Sequence, residues 1–371
     1  MNSSVYIYQT RIPKYRESFF SELILLGNAD SVDYKIVAAD YRLKFFRHES
    51  DMTQGIINAR MRKLKFFGRE LHIHQKLDLH NGADLVICEY ALKNFLVYYL
   101  LFLRRPKKFA FWGHGHTTTR VTLRIEDLLK RKLLSFADYF FAYTESCSKT
   151  IASLKFPSNK IQIVNNSIDT KTLKTKDFPG SRILVDEILH KLQLNADQEI
   201  LLYMGSFEKD KRIDFILDAF EQIAKTKPKI ALLICSQDDF EHNYTRKLPE
   251  RAYLIGEADN LMKIALSKIC KVILNPGRVG LIAVDSFALQ IPIATTNWSR
   301  HAPEFSYLKN GVNSLITEND LESYVFGCMR LLEEPGLRDR LVSGCLESAE
   351  IYTVEKMAAN FHFGVLKCLG S

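Results

Sequence analysis

Short apolar runs bounded by turn residues alternate along this chain with stretches whose apolar residues recur at helical spacing. In the first half the pattern predicts strands at Ser4–Gln9, Tyr34–Ala39, Leu71–His74, Ala83–Cys88, Lys108–Gly113, Tyr139–Thr144 and Ile161–Val164. Helices are expected near Glu17–Leu26, Ala91–Leu103 and Thr122–Leu134. The second half continues with strands at Ile200–Met204, Ile230–Cys235, Ala252–Ile255, Lys271–Leu274 and Ile293–Thr295. Apolar residues at Ile213, Ile216, Leu217, Phe220 and Ile223 mark a helix after the first of these. Alternation of this kind implies an α/β fold of parallel sheets wrapped by helices.

A chain of 371 residues is too long for one typical core and suits two domains. The polar stretch Asp169–Arg182, with Pro179-Gly180, is the expected linker, which gives domains at 1–170 and 171–350. A tail at 351–371 holds an amphipathic helix over Val354–Leu369. Two such domains facing each other put the carboxyl ends of their strands, where ligands bind in open α/β sheets, around one cleft.

Charge is distributed unevenly. Residues 1–170 hold 26 Lys and Arg against 16 Asp and Glu, whereas residues 171–371 hold 25 against 27. That asymmetry points to a polyanionic or anionic-membrane partner for the first half. Nucleic acid is not expected, because the basic residues are not interleaved with aromatics as in known RNA or DNA modules. The longest apolar run, Phe95–Leu103, is far short of the roughly 20 residues a spanning helix needs. Arg104, Arg105, Lys107 and Lys108 come directly after it. Two readings stay open, a core helix before a solvated turn or an interfacial helix with its basic end on lipid head groups. No signal peptide is visible at Met1–Gln9. Seven scattered cysteines without Cys-x-x-Cys spacing suit buried thiols in a reducing cytoplasm. His72 and His74 alternate as on a strand, without the sequence partners a metal site needs, so no metal is expected.

The segment Asn275–Ile293 carries the densest signal. A strand leads into Pro276-Gly277, then a helix is expected over Val279–Leu289 with the single carboxylate Asp285. A strand, a turn and a helix start gather backbone N–H groups and the positive end of a helix dipole, which suits a phosphate. Asp285, five residues after Gly280, is placed to accept hydrogen bonds from ribose hydroxyls. An ordinary strand–turn–helix unit is the competing reading. A companion segment ends its strand at Gly205 and continues through Ser206, Lys209 and Lys211 into a helix. Basic residues at a helix start oppose the dipole unless an anion binds there, so Lys211 reads as a phosphate ligand or, failing that, a solvated lysine.

Together these residues resemble the group 1 (family 4) glycosyltransferases of polysaccharide biosynthesis. Gly205 and Lys211 match the family's strand-end glycine and diphosphate-binding lysine, six residues apart. Gly280-Leu281 falls in register with the centre of its Glu-x7-Glu element, and Asp285-Ser286-Phe287-Ala288-Leu289-Gln290-Ile291-Pro292 with its Glu-Ala-x-Ala-x-Gly-x-Pro. Asn166-Ser167-Ile168-Asp169 is similar to the Asn-Gly-Ile-Asp that ends the family's first domain. Two departures stand out: the first Glu of the element falls on Gly277 and the second on Asp285, and the usual Arg after the strand-end glycine is Ser206. Lys209 or Arg278 is the expected replacement for that charge, and the N–H groups of Val279–Leu281 for contacts of the missing Glu.

The resemblance implies two Rossmann-like domains with parallel sheets facing across a cleft (GT-B-like). Residues 1–170 would form the acceptor domain and 171–350 the sugar-nucleotide domain, with the 351–371 helix crossing back onto the first. It implies His114, at the end of the predicted strand Lys108–Gly113, as the residue facing the transferred sugar, with a structural histidine as the alternative and His116 as its understudy. Arg11, Lys14 and Arg16, in the loop after the first strand, become acceptor contacts, an equal alternative being a solvated basic loop. The implied catalytic set is His114, Lys211 and Asp285. The implied reaction moves a sugar from a nucleotide donor to a growing glycan or lipid-linked saccharide, with retention and without a cofactor or metal. The cysteines and the basic first half add the expectation of a cytoplasmic protein, with peripheral attachment to the inner face of the plasma membrane as an option. A sugar-nucleotide epimerase or hydrolase, or a non-catalytic partner of another transferase, are the rival readings.

Overall fold

The computed structural model describes residues 2–38, 56–59, 61–66, 69–74, 77–115, 124–175, 178–195, 198–244 and 246–371. The chain forms two compact units, Met1–Asp169 joined by Val354–Ser371, and Thr170–Thr353.

The first unit is built on strands β1 (Ser3–Gln9), β2 (Val32–Ala38), β3 (Ile56–Asn58), β6 (Leu85–Glu89), β7 (Lys108–Gly113), β8 (Tyr139–Ala142) and β9 (Ile161–Ile163). They form one parallel sheet in the order β3-β2-β1-β6-β7-β8-β9. β1, β6, β7 and β8 are almost continuously buried, as expected of parallel strands covered on both faces. The expected strand Leu71–His74 lies elsewhere. It belongs to an antiparallel hairpin of β4 (Met61–Phe66) and β5 (Arg69–His74), so the parallel alternation is broken there. Its short connection permits a hairpin, whereas a parallel neighbour needs a crossover of a dozen residues or more.

Helices α1 (Glu17–Ala29), α2 (Phe95–Phe102), α3 (Arg124–Leu134) and α4 (Glu145–Ser153) belong to this unit. α2 starts four residues later than expected, because Asn94 caps it by accepting the Leu96 N–H at 3.2 Å. It buries Leu96, Val97, Leu100 and Leu101 and is therefore a core helix; only its end, at Phe102 and Leu103, is exposed. The expected strand over Tyr139–Thr144 stops at Ala142, since Thr144 caps α4.

The last helix, α12 (Val354–Leu369), packs into this same core. Phe361 stacks on Phe141 at 4.4 Å between ring centroids and meets Trp112 at 5.0 Å and Phe19 at 5.4 Å. His362 joins Tyr34 Oη at 2.7 Å and Asp30 at 2.9 Å.

The second unit has strands β10 (Ile200–Met204), β11 (Ala231–Cys235), β12 (Ala252–Gly256), β13 (Cys270–Leu274), β14 (Ile293–Thr296) and β15 (Ser314–Thr317). All are parallel, in the order β12-β11-β10-β13-β14-β15. Helices α5 (Ser181–Lys191), α6 (Ile213–Thr226), α7 (Phe240–Asn243), α8 (Asn260–Ile269), α9 (Ile282–Leu289), α10 (Leu321–Glu333) and α11 (Pro335–Ile351) complete it. The apolar stripe read for α6 is its buried face. In α9 every residue from Ala283 to Leu289 is buried, which explains why that segment shows little amphipathic spacing.

Strand order locates the ligand edge in each sheet. From β10 the chain moves outward through β11 and β12, then returns to β13 on the other side of β10. β1 and β6 bracket the equivalent reversal in the first unit. Ligands of open α/β sheets bind beyond the carboxyl ends of strands at such points.

Replacing Phe361 by Ala should lower stability by about 3–5 kcal/mol, the usual range for emptying a buried aromatic site. Urea unfolding of the full chain measures it, and a midpoint within error of the parent would refute the role given to this ring.

Candidate functional site

In the second unit the loops after β10 and β13 are joined backbone to backbone. Gly205 comes directly after β10 with φ 156°, and a Cβ there would lie 2.9 Å from Tyr203 Oη. Tyr203 donates that hydroxyl to the Ser206 carbonyl at 2.5 Å. Lys209–Lys211 then form one 3-10 turn, and Arg212, at φ 57°, leads into α6. Arg212 ties the turn down, donating to the Pro276 carbonyl at 3.1 Å and stacking on Phe215 at 4.1 Å.

Across from this turn sits Gly277. A Cβ on it would overlap the Asp210 carbonyl oxygen and lie 2.6 Å from that of Lys211. Gly277 was expected to line the ligand site; instead it faces protein backbone, which is why no side chain is tolerated there. Arg278 N donates to the Asp210 carbonyl at 2.8 Å, and Lys211 Nζ donates to the Arg278 carbonyl at 2.9 Å. The Arg278 guanidinium is half-buried and Lys209 is exposed.

The helix after Gly277 begins at Ile282, later than Val279, and the Val279 N–H is taken by His301 Nδ1 at 3.1 Å. The expected N–H donors therefore shift along the chain. Among the described residues the N–H groups of Gly280, Leu281 and Ile282 make no hydrogen bond, and no side chain caps α9. His301 Nε2 donates to the Thr296 carbonyl at 2.9 Å, a tautomer assigned from these two partners. Its ring stacks on Phe305 at 3.9 Å, and burial pushes its pKa down to about 4.

Gly205, Ser206, Lys211, Ile282 and Asp285 line one open pocket of about 360 Å³. Burial holds the Lys211 ammonium below the ordinary lysine range, with the Glu208 carboxylate opposing that shift. A buried ammonium of this kind gains most from an added anion. Asp285 forms an ion pair of 2.9 Å with Lys263, which comes from α8 and lines the same pocket.

Sequence reasoning missed Lys263, and with it Gln237 and Asp238 beyond β11, Glu257 beyond β12, and Glu304. Asp238 accepts the Phe207 N–H at 2.6 Å and so fixes the loop after β10. Gln237 donates to the Glu257 carboxylate. Glu304 is buried in the 3-10 turn Pro303–Tyr307, where a Cβ on Gly280 would lie 3.9 Å from its Oε2. Polar residues placed directly after strands β11 and β12 were the available signal for the first group. Nothing in local spacing marked Lys263, Glu304 or His301.

In the first unit His114 is exposed beyond the end of β7, its ring edge-on to Tyr143 at 4.3 Å. Arg16 behaves differently from an open acceptor contact. It is buried, donates to Asn166 Oδ1 at 2.7 Å and lies over the rings of Trp112 at 5.2 Å and Tyr143 at 5.8 Å. Its charge is spent inside the unit, beneath the aromatic ring that meets His114. Lys14 is exposed and Arg11 half-buried, while His116 lies outside the described residues. At the reversal between β1 and β6, Thr10 Oγ1 donates to Glu89 at 2.6 Å.

Residues 185–344 match the family described as glycosyl transferases group 1. A curated relative, N-acetyl-alpha-D-glucosaminyl L-malate synthase of Bacillus anthracis, is 21% identical over 229 residues. That match takes in 59% of this chain and 56% of the relative, so the chain spans about half the length of the curated relative. Among solved structures, a glycosyltransferase from Rickettsia africae superposes with a TM-score of 0.72 at 12% identity, covering 99% of both chains. The Anabaena protein HepE, in complex with UDP, gives 0.71 at 12% identity, over 98% of this chain and 100% of that one. Two parallel-sheet Rossmann-like halves are thus the fold shared with these proteins, and residues 185–344 in the second half are similar to the group 1 glycosyl transferases.

Proposed function

We propose that the protein is a glycosyltransferase that moves a sugar from a nucleotide-diphosphate donor to a glycan or lipid-linked saccharide in cell-surface polysaccharide assembly. The observation that carries this is the second-unit pocket, where Lys211 and the open N-terminus of α9 converge at the strand reversal. Breaking the bond from the sugar to the diphosphate leaves negative charge on phosphate oxygens. Lys211 and the N–H groups of Gly280, Leu281 and Ile282 are fixed before the reaction and aimed at that charge, so little reorganisation is needed. The relatives fit this reading, since HepE is a UDP complex of the same fold.

His114 takes the sugar-facing role in this scheme, with Tyr143 setting its ring. The basic first half suits an acceptor that carries phosphate or sits on an anionic membrane. Exposed Phe102 and Leu103 beside exposed Arg104, Arg105 and Lys107 fit such a surface. Among the described residues no helix is long and apolar enough to cross a membrane. Incubation with a panel of nucleotide sugars separates the rival chemistries: an epimerase returns an isomer, a hydrolase returns free sugar, and a transferase needs an acceptor to turn over.

Lys211→Ala should remove transfer and weaken nucleoside-diphosphate binding by about 1.5–3 kcal/mol, the range for a hydrogen bond to a charged group. Calorimetry with UDP, GDP and ADP tests it, and unchanged affinity for all three would exclude Lys211 from the site.

Gly277→Glu should abolish binding, and Gly277→Ala should be nearly as harmful, because even one added carbon overlaps the Asp210 carbonyl. Melting temperature and nucleotide affinity should fall together; a normal Gly277→Ala protein would contradict the joined loops.

His301 supplies a pH dependence. Its folded pKa of about 4 lies below the ordinary 6.5, so its contribution is complete above about pH 6.5 and is lost as pH falls towards 4. The loss is on the order of 2–3 kcal/mol. Urea midpoints at pH 7 and pH 4.5 should differ more in the parent than in His301→Gln; equal slopes would exclude His301 as the titrating group.

A further inference from the structure

Lys263 has no role in the scheme above, yet its ion pair with Asp285 sits inside the pocket. Lys263 stands in the first turn of α8, and Asp285 on the first turn of α9. Their side chains are 20% and 11% exposed, at 2.9 Å from Nζ to Oδ1. As a tie between two helices this is an expensive choice, because desolvating both charges offsets much of their attraction. The helices are already anchored by apolar burial, through Ile264, Ala265 and Leu266 on one and Ala283–Leu289 on the other.

The pair has unused capacity. Among the described residues Asp285 Oδ2 accepts no hydrogen bond, and the Lys263 ammonium, with three donors, uses one. An acceptor and a donor therefore stand side by side on one wall. A hydroxyl needs both at once, because it donates one hydrogen bond and accepts others. A vicinal diol doubles that match. The position fits as well: Asp285 lies three residues, about 4.5 Å of helix rise, beyond Ile282, where the phosphate-facing N–H groups end.

We propose that Lys263 joins Asp285, already expected from the sequence to accept from ribose hydroxyls, so that the two act together as a clamp for the ribose diol of a nucleoside diphosphate. Asp285 accepts from a ribose hydroxyl, and Lys263 donates to an oxygen of the same diol. This rests on the donor-site reading above and makes Lys263 a specificity-determining residue of that site. A site built to pair a hydroxyl rejects the ligand that lacks it, because its own polar groups are then left unpaired.

Calorimetry on the full chain tests the clamp. UDP, GDP and ADP are titrated first, and the tightest is then compared with its 2′-deoxy and 3′-deoxy counterparts. The parent should prefer the ribonucleotide over at least one deoxy form by about tenfold or more. Lys263→Met should lose most of that preference, weakening the ribonucleotide about tenfold and that deoxy form by less than about twofold. Lys263→Gln, which keeps an N–H donor, should retain part of the preference, and Lys263→Met with Asp285→Asn should lose little more than either alone. Equal losses for ribo and deoxy ligands would assign Lys263 to the phosphates and overturn the clamp. Unchanged affinities with a lowered melting temperature would make the pair a helix tie and overturn it equally. No binding of any of the three diphosphates to the parent would instead remove the donor site itself.

Discussion

At Gly277 two strand-end loops approach until the backbone of one leaves no room for a side-chain carbon on the other. The arrangement of the pocket depends on that contact. It brings the Asp210 carbonyl to the Arg278 N–H and the Lys211 ammonium to the Arg278 carbonyl. A lysine on a flexible stem loses much rotamer freedom when it is held, and here the holding is done by main-chain atoms. The residue that departs from the resembling family's pattern is thus explained by packing: a glutamate at 277 has no space in this arrangement.

The same junction decides where positive charge is left available. His301 takes the Val279 N–H and can do so only while neutral, since Nδ1 must accept. Burial keeps it neutral by holding its pKa at about 4. The next three N–H groups are then left at the mouth of α9, beside an ammonium already below its ordinary pKa. Both features make an anion welcome for the same reason: each is a donor with reduced access to water.

The first unit handles its charge in another way. Arg16 is drawn beneath Trp112 and Tyr143 and bonded to Asn166, so one basic residue of the strand-end loop serves packing. Tyr143 carries this order outward to His114. The carboxyl-terminal helix completes the same core through Phe361, which touches Trp112, Phe141 and Phe19. A change in that helix therefore acts on the wall that presents His114.

The sequence by itself determined the elements with strong periodicity and several of the residues that line the second-unit pocket. The α6 stripe, the buried parallel strands, Gly205, Lys211 and Asp285 were all legible, because a parallel strand is a continuous apolar run and a glycine before a basic turn is local information. Tertiary structure decided what depends on distant partners. The β4–β5 hairpin looked like one more alternating strand, since a single strand does not reveal the direction of its neighbour. Gly277 looked ligand-facing until the Asp210 carbonyl was placed against it, the long intervening chain being closed by a backbone hydrogen bond at the next residue, Arg278. Lys263, His301 and Glu304 lie on elements whose local pattern is ordinary. Only packing α8 against α9 brings the Lys263 ammonium into the pocket, and only folding the loop after β14 beside β13 brings His301 to the Val279 N–H and Glu304 near Gly280, because side-chain chemistry becomes a site only through contacts that sequence separation conceals.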